Sequence, residues 1–201
     1  MNEFQYDKQT IRRSMLKQRA ALSPEQLQAA SEAICERVMN YLQSPAVRLP
    51  HGTVMSYASF KNELPTGRLN KLIREAGYTL ILPFTDENFH ITPLIIDKQT
   101  SFRLSALGIT EPDISTCRQA DPKDIDVILM PGIAFDRRGY RVGLGKGCYD
   151  QFLPGVPDGV PVMGLAYDFQ LIDRVPAESH DRPADGIITP TQILHCRQPL
   201  D

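Results

Sequence analysis

The strongest constraint on the fold is a set of short, near-continuous apolar runs rich in β-branched residues. They are Thr53-Val54-Met55-Ser56-Tyr57, Thr79-Leu80-Ile81-Leu82, Val127-Ile128-Leu129-Met130, Val162-Met163-Gly164-Leu165-Ala166 and Ile187-Ile188-Thr189. A strand with one wet face alternates apolar and polar residues. A continuous run marks a strand covered on both faces, as in a mostly parallel sheet flanked by other elements. Between the first two runs, Thr66 to Ala76 has helical character and is closed by Gly77, where a left-handed residue commonly ends a helix. Strand, helix, strand in that order predicts a layered α/β domain.

Ahead of the first run the period is helical. Ile11, Met15 and Leu22 recur among basic residues from Lys8 to Leu22. Ser23-Pro24-Glu25-Gln26 then reads as a fresh start: Ser23 caps, Pro24 takes the first helical position, and Gln26 completes a capping box. Leu27, Ala30, Ile34, Val38 and Leu42 carry that stripe to about Gln43, and Pro45, Pro50 and Gly52 end it. His90 to Arg103 reads as one or two edge strands, and Leu107 to Asp124 as a long connection. At 201 residues the chain is expected to be one domain, spanning residues 1–201.

Composition narrows the function. Lys and Arg total 22 against 24 Asp and Glu, so the basic excess that a general DNA or membrane surface needs is missing. Cys35, Cys117, Cys148 and Cys196 form no C-x-x-C pair, and the histidines form no H-x-x-x-H, which removes the main support for ribbon, thioredoxin-like and zincin readings. No apolar segment approaches a membrane span, and the first residues lack the apolar core of a signal peptide. A reduced, cytoplasmic, soluble protein is expected.

The chemistry concentrates in Met130 to Leu153, MPGIAFDRRGYRVGLGKGCYDQFL. A buried strand runs into Pro131-Gly132, and a loop follows with Gly139, Gly143, Gly145 and Gly147 among Arg137, Arg138, Arg141 and Lys146. Glycines let backbone N–H groups approach a phosphate, and the basic side chains add full charge. The spacing is neither a Walker A loop, which needs Ser or Thr where Gly147 follows Lys146, nor the G-x-G-x-x-G of a dinucleotide fold. Composition alone leaves two readings open: a polyphosphate cradle, or a flexible loop with ordinary surface arginines. Asp136 is read as stabilising the turn after the strand.

This stretch resembles the 5-formyltetrahydrofolate cyclo-ligase family, also called 5,10-methenyltetrahydrofolate synthetase, whose pattern is roughly P-G-[LV]-A-F-D-x-x-G-x-R-L-G-x-G-[KG]-G-[YF]-Y-D. Further matches occur in the same order: Lys8-x-x-x-Arg12, Leu22-Ser23-Pro24-Glu25, Tyr57 through Glu63-Leu64-Pro65-Thr66, Gly77 to Pro83, Gly108 to Pro112, Gly164 to Gln170, Val175-Pro176 and His180-Asp181 through Thr189. The resemblance covers about residues 8 to 194. It implies a single three-layer α/β/α domain with a mostly parallel or mixed central sheet and an N-terminal helical pair. The implied activity is ATP-dependent conversion of 5-formyltetrahydrofolate to 5,10-methenyltetrahydrofolate through a phosphorylated formyl oxygen, with release of ADP and phosphate.

The same resemblance implies roles for particular residues. Lys8, Arg12, Arg141, Gly143, Gly145, Lys146, Gly147 and Tyr149 match ATP-binding positions, with Lys146 and Arg141 as the catalytic cations. Arg12, Glu63, Lys146, Cys148 and Tyr149 match substrate-binding positions. Asp150 and Asp181 match the acidic positions for Mg2+, and Asp185 is a weaker acidic candidate. Cys148 stands where the family usually has an aromatic ring, and Leu144 where some members have a basic residue. The expected partners are ATP and 5-formyltetrahydrofolate, with no nucleic acid or membrane, in a monomer or a homodimer. Two rivals remain: a non-catalytic folate- or nucleotide-binding protein, and a related ATP-dependent enzyme acting on another formylated or carboxylated substrate.

Overall fold

The computed structural model describes residues 7–104, 110–178 and 181–196. The expected matches at Gly108 and His180 lie outside the described residues. Two helices open the chain, α1 (Lys8–Ala20) and α2 (Pro24–Leu42). The boundary between them is the predicted capping box: the Gln26 backbone N–H donates to Ser23 Oγ at 3.3 Å, and the Ser23 N–H donates to Gln26 Oε1 at 2.8 Å. After β1 (Thr53–Met55) comes α3 (Gly67–Glu75), ending at Gly77 with φ +89°, as the glycine signal predicted.

The remaining elements are β2 (Thr79–Thr85), β3 (Ile91–Ile96), β4 (Phe102–Leu104), β5 (Thr110–Pro112), β6 (Arg118–Gln119), β7 (Val127–Pro131), β8 (Ala134–Asp136), β9 (Arg141–Val142), α4 (Cys148–Phe152), β10 (Val162–Leu165), β11 (Leu171–Ile172), β12 (Gly186–Ile188) and β13 (Ile193–His195). Among the described residues the main sheet has eight strands in the order β13-β12-β10-β7-β1-β2-β3-β6. Its centre, β12-β10-β7-β1-β2, is parallel, and β13, β3 and β6 join antiparallel to their neighbours. The sheet is therefore mixed, with a parallel core made from the five runs that the sequence singled out.

Alternate residues of those strands enter two cores. Val54, Leu80, Val127, Leu129 and Leu165 pack with Ile34, Val38, Leu42, Leu69 and Ile73 of α2 and α3. Met55, Ile81, Ile128, Met130 and Ile187 face the other way, onto Phe135, Phe152, Leu153 and Val156. The second outer layer is thin. It consists of α4, neighbouring short turns and a small sheet of order β11-β8-β9 that the sequence did not foreshadow.

One ring joins the small sheet to the large one. Phe135 is fully buried. A methyl group on Gly132 would lie 2.4 Å from its ring, and one on Gly164 2.5 Å away. Both positions must be glycine because the aromatic face rests on bare backbone. On the outer side of the small sheet, Ile11 and Met15 of α1 pack against Ile133, Ala134, Val142 and Val175.

Candidate active site

Parallel strands send all their following loops to one edge of the sheet, where open α/β sheets usually hold ligands. Here that edge collects the Tyr57–Thr66 loop after β1, the chain after β7 and the segment after β10, with α1 laid across them.

The loop after β1 is pinned internally. Thr66 Oγ1 donates to the Tyr57 carbonyl at 2.6 Å and accepts from the Ser59 N–H at 3.1 Å, while Asn70 Nδ2 donates to the same carbonyl at 2.9 Å. The predicted threonine of the Glu63–Thr66 match is thus a brace, and the glutamate is what the brace presents. Glu63 Oε2 accepts from the Phe60 N–H at 3.0 Å. Burial pushes the Glu63 carboxyl above the usual range, outweighing that hydrogen bond and the nearby Arg19.

The glycine loop is built on Asp136, which is fully buried. Its Oδ1 accepts from the backbone N–H groups of Arg138 and Tyr140, and its Oδ2 from the Val175 N–H and the Arg138 guanidinium. Asp136 is the turn stabiliser that the sequence predicted. Gly139, at φ +88°, is pressed so closely on the next segment that a methyl group there would sit 2.1 Å from the Ala184 carbonyl oxygen. Gly145 and Gly147 also take left-handed conformations, whereas Gly143 does not.

Three predicted cations reach this loop. Arg12 Nε donates to the Gly143 carbonyl at 2.7 Å, and a methyl group on Gly145 would meet its guanidinium at 3.2 Å. Arg141 extends from β9, donating from Nη2 to Asp150 Oδ1 at 2.6 Å and from Nη1 to the Arg182 carbonyl at 2.9 Å. Lys146 is exposed on the loop. Lys8, one turn before Arg12 on α1, goes elsewhere: its Nζ pairs with Glu178 at 2.8 Å and Asp181 at 3.0 Å. Burial acts to lower the Lys8 pKa, but those carboxylates outweigh it and raise it.

Asp150 and Asp181 thus each face a basic group, and Arg141 ties the segment holding Asp150 to the one holding Asp181. Among the described residues no group of three or more His, Cys, Asp or Glu side chains is placed to hold a metal. The donor set instead suits an ion that takes one or two carboxylates and fills its remaining positions with water and phosphate, as Mg2+ does. Asp185 is committed to structure, accepting from the Val162 N–H at 2.8 Å.

Tyr149 connects the two halves. Its ring lies 6.0 Å from the Arg141 guanidinium carbon, and its buried hydroxyl has no hydrogen-bond partner among the described residues. Burial first, then the Glu63 charge, pushes that phenol strongly upward. Cys148, beside it, has its thiol pushed up by burial, so it is no activated nucleophile.

Sequence reasoning missed Arg19 and Tyr167. Arg19 is 4% exposed, donates to the Asn62 carbonyl at 2.9 Å and lies 4.0 Å from Glu63. Its signal was its spacing, one helical turn beyond Ile11 and Met15 on the buried stripe. Tyr167 donates to the Glu63 carbonyl at 3.3 Å and stacks on Phe169 at 5.4 Å; it lies inside the Gly164–Gln170 match, which gave it no role in the site.

Fold and site define a three-layer α/β protein in which one edge of the sheet carries a glycine loop approached by Arg12, Arg141 and Lys146. The profile of the 5-formyltetrahydrofolate cyclo-ligase family matches residues 5–190. The chain is 32% identical over 185 residues to 5-formyltetrahydrofolate cyclo-ligase of Escherichia coli (strain K12), covering 89% of this chain and 98% of that one. In three dimensions it is similar to 5,10-methenyltetrahydrofolate synthetase of Aquifex aeolicus, with a TM-score of 0.78, 30% identity and 96% and 95% of the two chains covered. The enzyme of the same name from Mycoplasma pneumoniae gives a TM-score of 0.74 at 25% identity, covering 92% and 99%. The chain belongs to the 5-formyltetrahydrofolate cyclo-ligase family and is an enzyme of that family. No helix among the described residues is long and apolar enough to cross a membrane.

Proposed function

We propose that the chain converts 5-formyltetrahydrofolate to 5,10-methenyltetrahydrofolate at the expense of ATP. The observation that carries this reading is the convergence of Arg12, Arg141 and Lys146 on one glycine loop, with the half-buried Glu63 carboxyl beyond Tyr149. One half suits a polyphosphate; the other suits the amino and ring N–H donors of a pterin.

The chemistry asks mainly for positioning and charge neutralisation. The formyl oxygen attacks the γ-phosphorus and ADP departs. N10 then attacks the formyl carbon, and phosphate leaves with the former formyl oxygen as N10 gives up its proton. An amide oxygen is a poor leaving group, and phosphorylation makes it a good one. Arg141 and Lys146 hold phosphate oxygens in line, and Arg12 fixes the loop while reaching toward both ligands. Lys8 supports the nucleotide side. Gly143, Gly145 and Gly147 give the phosphates room. Tyr149 offers the substrate a buried hydroxyl that has no partner among the described residues, and Cys148 lines the pocket. Asp150, with Asp181, would hold Mg2+, which supplies charge neutralisation on the phosphates. The reading is tested by following methenyltetrahydrofolate absorbance with ATP and Mg2+, with each omitted in turn. Product formed at the same rate without ATP would overturn it, as would folate binding without turnover.

A further inference from the structure

The β2–β3 hairpin turns through Asp86 to His90, and its tip reaches the glycine loop. Asp86 organises the turn. Its Oδ1 accepts from the Asn88 and His90 N–H groups at 2.9 and 2.8 Å, and its carbonyl accepts from the Phe89 N–H at 3.1 Å. A tight turn followed by one left-handed residue is a common hairpin closure, and that last position usually belongs to glycine. Here it is Phe89, at φ +65°. A bulky aromatic residue in that region is strained. The strained backbone delivers the ring to Lys146, whose Nζ lies 4.4 Å from the ring centroid, well within cation–π reach.

The other cations of the site are held differently. Lys8 faces two carboxylates, Arg141 faces Asp150, and Arg12 donates to a backbone carbonyl. Lys146 makes no ion pair among the described residues, and the ring is its partner. A carboxylate would cancel the ammonium charge and would have to be displaced by an arriving phosphate. An aromatic face attracts the cation through its quadrupole and leaves the net charge at +1. It also restricts a long, flexible side chain before ligand arrives, lowering the entropy lost on binding.

We propose that Phe89 is a positioning residue for Lys146, holding the ammonium over the glycine loop without neutralising it so that it meets the nucleotide's phosphates at full charge. This rests on the reading of Lys146 as a phosphate ligand. The test is a double-mutant cycle in the full chain, reading the ATP KM, the folate KM and Tm. Phe89→Leu is expected to raise the ATP KM by about 2- to 30-fold, the range a cation–π contact spans, with the folate KM unchanged. Phe89→Tyr keeps the ring face and should restore the wild-type ATP KM. Phe89→Gly should raise the ATP KM as Phe89→Leu does while Tm holds or rises, because the left-handed strain is gone; a purely structural residue would not separate those effects. In a Lys146→Met background, Phe89→Leu should add nothing further. Lys146→Met raising the ATP KM with Phe89→Leu silent would overturn the positioning role alone, as would fully additive losses in the cycle. An unchanged ATP KM in Lys146→Met would instead overturn the phosphate reading of Lys146, and the Phe89 role with it.

Discussion

Arg141→Met isolates what one guanidinium contributes to the nucleotide side. Methionine keeps much of the apolar stem and removes the fork that spans Asp150 at 2.6 Å and the Arg182 carbonyl at 2.9 Å. In the free protein the Asp150 side chain retains 25% exposure and can rehydrate. Orphaning it therefore belongs near the low end of the ~1–3 kcal/mol that an unpaired buried group costs. At about 2–4 °C per kcal/mol for a domain of this size, Tm should fall by roughly 2–6 °C. With nucleotide present a second loss appears, one charge-assisted hydrogen bond to a phosphate oxygen. That is ~1.5–3 kcal/mol, or about 10- to 150-fold in the dissociation constant. Glu63 and Arg19 lie on the other half of the site, so folate affinity should be preserved. Calorimetric titration of the folded variant with a non-hydrolysable ATP analogue, and separately with folate, reads the two effects. Arg141→Lys keeps the charge but cannot span both partners, so it should recover part of the affinity and little of the Tm. An unchanged nucleotide dissociation constant in Arg141→Met would remove the residue from the site. Equal weakening of both ligands would make it a loop scaffold.

Asp150→Asn should weaken ATP binding and turnover by at least about tenfold with Mg2+ present, yet strengthen nucleotide binding when chelator removes the ion, because a carboxylate that repels phosphate is gone; weakening under both conditions would place the ion elsewhere. The Glu63 carboxyl is raised by burial, so the native state binds its proton more tightly than the unfolded chain does, and the associated stability is present at low pH and lost as pH rises through the folded pKa. Glu63→Gln should therefore have a Tm above wild type at pH 8 and converge with it near pH 4, while turnover falls; a variant less stable at pH 8 would refute the burial argument. Gly139→Ala adds a left-handed strain of about 1–2 kcal/mol and a backbone collision, so its Tm should fall by at least about 3 °C. Gly143→Ala, with φ ordinary and nothing within 4 Å of the added methyl, should melt like wild type in the same scan.

The helical pair and the parallel core were legible because each carries its own local signal. Ser23 and Gln26 mark a helix start wherever the rest of the chain lies, and a continuous apolar run marks a strand with two covered faces. The small sheet was illegible for the converse reason: β8, β9 and β11 are two or three residues long, among glycines and arginines, and no period can be read over such lengths. The edge region was only half read. Pro93 interrupts Ile91–Ile96 as a strand pattern, but it stands opposite Pro83, so the two residues without an N–H share one rung of the ladder. In the site, loop glycines and their cations were visible as composition, whereas Glu63 and its bracing threonine stood out only through the family resemblance. What could not be read was partnership. That Lys8 would turn to Glu178 and Asp181 while Arg12, one turn away, reached Gly143 depends on how α1 crosses the loops.

The seating of Phe135 on Gly132 and Gly164 carries a consequence for the order in which the molecule assembles. Gly164 lies opposite Met130 in the β7–β10 pairing, so the slot for the ring exists only once two segments more than thirty residues apart have come side by side. Contacts of that separation cost more chain entropy to close than a local pair such as the β2–β3 hairpin. The platform under the glycine loop is therefore seated only after β7 and β10 have paired. On the proposed reading, a nucleotide bound there selects chains whose β7 and β10 have already paired, and by mass action its stabilisation falls on the finished molecule and not on partly folded forms. On that reading the ligand is an inspector of completed folding.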